Sequence, residues 1–120
     1  MDAITLIDKP ITRTELKAIA LQRFGDLVKG VVDLEKGIMV LGGELHADEE
    51  AFLLQQGSKQ ADLWGINLYP DLDMPDMLEF DSMINIRPSQ GNSSRTVEDQ
   101  AIREKINQII IALISDAYAK

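Results

Sequence analysis

Apolar residues recur along the chain at spacings that predict three helices and about five strands. Residues 3–7 form a short β-favouring run that ends before Pro10. Thr12 predicts a helix start, because Glu15 stands three residues later as in a capping box and apolar residues then follow at helical spacing. We expect this helix to end at Gly25, since glycine adopts the left-handed conformation that closes many helices.

The next part of the chain predicts a hairpin followed by a second helix. The segment VKGVVDLEKGIMVLGG, residues 28–43, has β-rich arms on either side of Glu35-Lys36-Gly37, where glycine suits the turn. One face of the first arm is apolar, while the opposite face, which carries Lys29 and Asp33, is only partly apolar. Residues 47–56 predict a short helix with acidic side chains in its first turn.

Two further strands and a terminal helix complete the pattern. Residues 62–69, DLWGINLY, predict a strand with Trp64 on one face and Asn67 on the other, and residues 78–87, LEFDSMINIR, predict a strand that ends before Pro88. Its Ile84 and Ile86 are expected on the Trp64 face. Thr96, with an acidic residue three positions later, predicts the start of the last helix.

The element order β-α-β-β-α-β-β-α predicts an α+β fold within one domain, residues 1–120. Short connections favour a mainly antiparallel sheet of about five strands, in two hairpins plus an edge strand, with helices packed on one face. Nothing in the pattern indicates a linker, a repeat or a low-complexity segment.

Composition and charge exclude several classes of function. There is no cysteine, so disulfides and thiolate chemistry are absent. A formal net charge of -8 disfavours nonspecific binding to nucleic acids and anionic membranes. The longest apolar run is too short to span a bilayer, and no signal peptide is visible. We expect a cytoplasmic protein.

The loop NIRPSQGNSSRTVED, residues 85–99, is the first candidate site. It places hydroxyl, amide and guanidinium groups just before a helix start, which are the groups that bind phosphate or carboxylate. The candidate ligand-binding residues there are Asn85, Arg87, Ser89, Gln90, Asn92, Ser94 and Arg95. The alternative is an ordinary hydrated loop whose side chains bond their own backbone.

A polar sheet face and the only histidine give two further candidates. If the two hairpins lie in one sheet with their apolar faces aligned, one sheet face carries Asp33, Asn67, Asn85 and Arg87. Such a face either forms the floor of a pocket or simply lies in solvent. Glu44 and His46 are the candidate catalytic residues, because either side chain has the chemistry of a general base. No zinc motif is present, so we assign no metal ligands, and the pattern identifies no cofactor.

Two blocks of the sequence resemble a family of short prokaryotic proteins known only as a domain of unknown function. They are GGELHADEEAFLLQQGSKQADLWGINLYP, residues 42–70, and FDSMINIRPSQGNSSR, residues 80–95. The resemblance covers most of the chain and implies a single small domain, but it assigns no catalytic role to any residue. It draws attention to the following polar and aromatic residues: Glu44, His46, Asp48, Glu49, Trp64, Asn67, Tyr69, Asn85, Arg87, Ser89, Gln90, Asn92 and Arg95.

Two functional hypotheses follow. The first is a protein that binds an anionic small molecule at residues 87–95, with phosphoester or other hydrolytic chemistry if it is an enzyme. The second is an interaction module without a small-molecule site. It rests on the terminal helix, whose wide apolar surface, with Ile111 and Tyr118 in addition to its main stripe, suits a homodimer contact, or on the acidic surface, which suits a basic protein partner.

Overall fold

The computed structural model describes residues 4–118, which include five strands in one antiparallel sheet. The strands are β1 Thr5–Ile7, β2 Val28–Asp33, β3 Ile38–Leu41, β4 Leu63–Leu68 and β5 Leu78–Glu79. Their order across the sheet is β1-β3-β2-β4-β5, with β1 as an edge strand beside the β2–β3 hairpin. The predicted α+β class and sheet are therefore confirmed. Ala3, the first residue of the predicted first strand, lies outside the described residues.

Three α-helices pack on this sheet. They are α1 Arg13–Leu21, α2 His46–Gln55 and α3 Gln100–Leu113. The predicted capping box is confirmed, because the Thr12 hydroxyl accepts from the Glu15 N–H at 3.1 Å and the Glu15 carboxylate accepts from the Thr12 N–H at 2.9 Å. Helix α1 ends at Leu21, before the predicted stop at Gly25, whose φ is +90° and whose N–H donates to Ala20.

Helices cover both faces of the sheet, which corrects the prediction that they cover one. On the first face Leu16 of α1 and Ile106 of α3 pack with Trp64. On the second face Leu53 of α2 packs with Val31. In the sequence this second face looked only partly apolar. Its apolar residues come from several strands, and strand pairing brings them together in a way that the pattern along one strand does not show.

The segment between β5 and α3 is mostly irregular, which corrects two predictions. Strand β5 has only two residues, and the predicted strand is replaced by a 3-10 helix at Met83–Asn85. Ile84 packs on the second face rather than beside Trp64, and Ile86 is 39% exposed. Helix α3 begins after Asp99, whose carboxylate accepts from two N–H groups, and not after Thr96.

Candidate functional site

A pocket opens on the second sheet face, between the start of α2 and the segment that follows β5. Its polar lining comes from six residues: Lys29, His46, Asn67, Asp81, Ser82 and Arg95. We call it the His46 pocket. It encloses about 230 Å³, which lies below the roughly 300–1,000 Å³ of pockets that hold drug-sized ligands. Its size therefore suits a small metabolite.

The pairing of the strands explains why residues of β2, β4 and α2 meet at this pocket. Lys29 of β2 is paired with Asn67 of β4, and Asn67 is paired in turn with Glu79 of β5. Paired residues in an antiparallel sheet point to the same side, so these side chains form a row. The row lies on the face that α2 covers, and α2 begins with His46.

His46 is held as a neutral hydrogen-bond acceptor facing the pocket. Its Nε2 lies 2.8 Å from the carbonyl oxygen of Ile66, which only accepts, so Nε2 carries the proton and Nδ1 has the lone pair. Burial lowers the pKa of His46 below 6.5, and the charge of Lys29 lowers it further. The Ile66 carbonyl and the Asn67 amide act in the opposite direction.

Asn67 has a buried amide oxygen without a donor. The residue is 8% exposed, and its Nδ2 donates to the Glu79 carboxylate at 2.9 Å and to the Asp81 carbonyl at 3.2 Å. Because both partners only accept, the orientation of the amide is fixed. Among residues 4–118 no N–H or O–H group meets hydrogen-bond geometry with the Asn67 oxygen, and the nearby group that interacts with this side chain is the His46 ring. A buried polar atom of this kind usually has a partner, and here it belongs to a residue that lines a pocket.

Charged side chains and the first N–H groups of α2 lie near the acceptor atoms of His46 and Asn67. Arg95 forms a two-point ion pair with Asp81, at 2.8 and 3.3 Å, and the Lys29 ammonium lies 5.2 Å from the centre of the Phe24 ring. Two cationic side chains and one carboxylate leave the pocket with one net positive charge. Helix α2 has no side-chain cap, so its first N–H groups add positive potential beside the pocket.

Apolar side chains form the rim of the pocket. Leu45 and Met83 line it and are 52% and 64% exposed, and Ile84 lines it from the 3-10 helix. The lining thus combines a polar base with an apolar mouth, as is usual for sites that bind small molecules.

The structure separates Arg87 from this pocket. Its guanidinium donates to the carbonyls of Ile84 at 3.0 Å and Gln60 at 2.8 Å and to that of Leu63, and it lies 4.8 Å from the Trp64 ring centre. Arg87 is buried, and Glu50 forms an ion pair with it at 3.5 Å. These contacts occupy the guanidinium, so His46 and Arg95 converge on one pocket while Arg87 does not.

Asn85 and Asn92 are buried and fasten the loop to the sheet. The Asn85 side chain accepts from the Gly65 N–H at 2.8 Å and donates to the carbonyls of Gly65 and Arg95, both at 3.0 Å. It thereby replaces a neighbouring strand along this part of β4. Asn92 donates to the Asn85 carbonyl at 2.7 Å and accepts from the Glu98 N–H at 2.8 Å. One consequence is that the backbone of Arg95 is fixed beside the pocket.

The remaining loop residues meet protein groups or solvent. The Ser94 hydroxyl donates to the Glu98 carboxylate at 2.5 Å, and Ser93 donates to the same oxygen. These bonds, with that of Ser94 first, lower the pKa of Glu98. Gln90 is exposed and accepts from Arg87 at 3.3 Å, while Ser89 is exposed. An internal carboxylate therefore occupies the Ser94 hydroxyl, one of the two hydroxyl groups that the sequence suggested for an external anion.

Glu44 and Glu49 lie near His46 in sequence but differ in environment. The Glu44 side chain is 66% exposed, does not line the pocket and lies 3.7 Å from Arg23. Glu49 is fully buried, accepts from the Gly43 N–H at 2.9 Å, and has a second oxygen without a partner among residues 4–118. Burial raises its pKa to about 9, so Glu49 is a neutral acid at pH 7.

Sequence reasoning missed Lys29, Asp81 and Glu49 as parts of this region. Lys29 stood on the polar face of its predicted strand, but its pairing with Asn67 depends on a strand order that no short-range pattern gives. Asp81 was assigned to a strand that the structure replaces with irregular backbone. Glu49 was predicted as one of the acidic residues in the first turn of the second helix and not as a buried acid, since acidic residues early in a helix are usually exposed.

Helix α3 uses its apolar surface inside the protein. Ile110 and Ile114 are buried, and Ile111 is partly buried against the same core. Tyr118, which is 55% exposed, lies beyond the end of the helix. Intramolecular packing therefore accounts for the wide apolar surface that suggested a homodimer contact, and the homodimer stays a prediction.

The described part of the chain offers neither a membrane-spanning helix nor a cluster of metal ligands. Within residues 4–118 no helix has both the length and the apolar character needed to cross a bilayer. The same part of the chain brings together no group of three histidine or acidic side chains that would hold a metal ion.

Comparison with known proteins identifies a family. Residues 5–113 match the model of a family described as "Protein of unknown function (DUF5674)". The match covers most of the chain, so the chain belongs to this family, as the resemblance predicted. Neither the curated proteins nor the solved structures contained a match.

Proposed function

We propose that this member of the family binds a small anionic molecule in the His46 pocket. The observation that carries the proposal is the buried side-chain oxygen of Asn67. Asn67 lines the pocket, and this oxygen has no hydrogen-bond partner among residues 4–118. A bound molecule with an N–H or O–H group would satisfy this oxygen and remove the cost of leaving it unpaired, about 1–3 kcal/mol.

The charges in the pocket support an anionic ligand. Lys29 and Arg95 supply two cations against the single carboxylate of Asp81, in a protein whose formal net charge is -8. An anion is therefore attracted to this pocket more than to most of the remaining surface, which is acidic. The uncapped N–H groups at the start of α2 add donors of the kind that bind carboxylate or phosphate oxygens.

This proposal moves the ligand away from the 87–95 loop and keeps part of the predicted site. His46, Asn67 and Arg95 take part, and the other loop residues hold Arg95 in place. The general-base role of His46 stays a prediction and belongs to this pocket, because its neutral imidazole has a lone pair on Nδ1. Glu44 is not included, since it is exposed and does not line the pocket.

Thermal-shift measurements with small carboxylates and phosphate esters test the proposal. We expect at least one compound to stabilise the protein, by about 2.7 kcal/mol at a hundredfold excess over Kd. Arg95→Gln should weaken this binding by about 10- to 100-fold, because a hydrogen bond to a charged group contributes roughly 1.5–3 kcal/mol. The variant should fold normally, since the Arg95–Asp81 pair is exposed and such pairs add little stability.

Lys105→Gln is the matched control, because it removes one positive charge from an exposed position on α3 that does not line the pocket. We expect it to bind as the unmodified protein does. Equal loss in both variants would indicate a general charge effect. The proposal fails if no compound stabilises the protein, or if stabilisation is unchanged by Arg95→Gln.

A further inference from the structure

We infer that the ligand is a small monocarboxylic acid that carries an uncharged hydrogen-bond donor and an apolar group. The inference rests on the proposed function and specifies the class of molecule that the His46 pocket accepts. Three properties of the pocket determine the three parts of the ligand: its net charge, its unpaired acceptors and its apolar rim.

The charge balance favours a carboxylate over a phosphate ester. Lys29 and Arg95 are opposed by Asp81, so the lining carries one net positive charge. Glu79 stands directly behind Asn67, and its carboxylate accepts from Asn67 at 2.9 Å and from the Tyr69 hydroxyl at 3.0 Å. A phosphate monoester carries a charge of about -1.5 to -2 at pH 7, and the second negative charge would meet these carboxylates without a partner.

The acceptors in the pocket require a donor on the ligand. The Asn67 oxygen accepts no hydrogen bond of ordinary geometry from residues 4–118, and Nδ1 of the neutral His46 carries a lone pair. A hydroxyl or amide N–H near the carboxylate fits this pair. An ammonium group fits less well, because it would add a third cation to a lining in which Lys29 and Arg95 already outnumber the Asp81 carboxylate.

The rim determines the third part of the ligand. Leu45 and Met83 line the pocket and are among the most exposed large apolar side chains of the described residues. They come from different elements, the N-cap of α2 and the 3-10 helix at Met83–Asn85, and both line the same opening. An aliphatic or aromatic substituent on the acid would cover both side chains and remove apolar surface from water.

Isothermal titration of a matched series of compounds tests the inference. The probe is leucate, the hydroxy analogue of the amino acid leucine. Isocaproate lacks its hydroxyl, lactate lacks its branched chain, the free amino acid leucine replaces the hydroxyl with an ammonium, and isopentyl phosphate carries a phosphate. We expect leucate to bind most tightly and each of the other four to bind at least about fivefold more weakly, as the loss of one hydrogen bond or a small apolar contact implies.

A rim variant makes the apolar part testable by a second route. Met83→Ser should weaken leucate binding severalfold and leave any lactate binding unchanged, and the fold should tolerate it because Met83 is 64% exposed. Leu72→Ser is the control, since Leu72 is 45% exposed and does not line the pocket.

The outcomes separate this inference from the proposed function. Binding of isocaproate or leucine as tight as that of leucate would overturn the uncharged donor, and tighter binding of isopentyl phosphate would overturn the carboxylate. Either result, if Arg95→Gln still weakened binding of the compound that does bind, would leave the anion pocket standing. Absence of binding by all five compounds overturns the inference, and the proposed function is then decided by the wider thermal-shift screen.

Discussion

Changing Asn85 to aspartate tests whether the polar loop is held by the hydrogen bonds of this one side chain. The substitution keeps the size of the side chain and the oxygen that accepts from the Gly65 N–H. It replaces the Nδ2 donor with an oxygen, which then faces the carbonyls of Gly65 and Arg95, each 3.0 Å from Nδ2 in the unmodified protein.

The expected cost follows from those contacts. Two donated hydrogen bonds are lost, and a buried acceptor left unpaired costs roughly 1–3 kcal/mol. The Arg95 carbonyl keeps the Ser82 N–H as a partner at 3.1 Å, so the cost there is smaller. The new carboxylate is in addition a buried charge without a cationic partner, so we expect the free energy of unfolding at pH 7 to fall by about 3–5 kcal/mol, a large part of the 5–15 kcal/mol typical of a domain.

The pH dependence of this variant has a definite sign. Burial beside two carbonyls raises the pKa of the new carboxyl in the folded state above its value of about 3.9 in the unfolded chain. Protonation is then favoured by folding, so the penalty is smallest below about pH 4 and grows as pH rises toward the raised pKa. A protonated carboxyl also donates to one of the two carbonyls.

Urea unfolding at pH 4 and pH 7 measures this effect, with the unmodified protein as reference at each pH. Asn107→Asp is a control, because Asn107 lies on α3 and its side chain makes no hydrogen bond to other described residues. We expect a small change for the control. A loss below about 1 kcal/mol for Asn85→Asp at pH 7, or one that does not shrink at pH 4, would refute the reasoning.

Three further predictions concern stability and titration. Glu49→Gln should stabilise the protein increasingly between pH 5 and pH 9, by up to about 1.4 kcal/mol per pH unit. The reason is that the pKa of Glu49 is raised from 4.5 to about 9 by folding, so the unmodified protein loses stability as the pH rises between these two values; urea titrations at several pH values check this. His46 should titrate below pH 6.5 by NMR of its ring protons. Its contribution to stability should be present above pH 6.5 and lost as the pH falls, so the free energy of unfolding should differ less between pH 7 and pH 5 in His46→Gln than in the unmodified protein. Arg87→Lys should lower the free energy of unfolding by about 2–4 kcal/mol, because one ammonium does not replace a guanidinium bonded to three carbonyls; a loss near zero would show that those bonds contribute little.

Local signals predicted the elements that local interactions define. The capping box at Thr12 and the hairpin turn at Gly37, whose φ is +67°, depend on residues within three or four positions. Strand β4 was predicted because its apolar alternation continues for the whole strand. These features were therefore readable from the sequence alone.

The segment LEFDSMINIR, residues 78–87, shows why other features were not readable. It has the alternation of a strand, but its side chains make bonds that compete with strand pairing. The Ser82 hydroxyl accepts from the Ile84 N–H at 3.3 Å, and Asn85 bonds to Gly65, twenty positions away. The segment can lie this close to β4 only because residue 65 is glycine, since a Cβ there would lie 2.5 Å from the Ser82 side chain.

The candidate site was predicted in part for the same reason. His46, Asn67 and Arg95 were identified by their chemistry, and the structure brings all three to one pocket. Which polar residues bind a ligand and which hold the fold depends on the partner of each group. The guanidinium groups of Arg87 and Arg95 look equivalent in sequence, yet one is buried among carbonyls and the other is exposed at the pocket.

NMR titration of the isotope-labelled protein with leucate tests the central claim most directly. The account predicts saturable shifts of the backbone amides of Leu45, His46 and Ala47, of the Asn67 side-chain amide and of the Arg95 guanidinium, with little change at residues 88–93. Saturable shifts confined to residues 88–93, or to a surface remote from both regions, would contradict the assignment of the His46 pocket as the binding site.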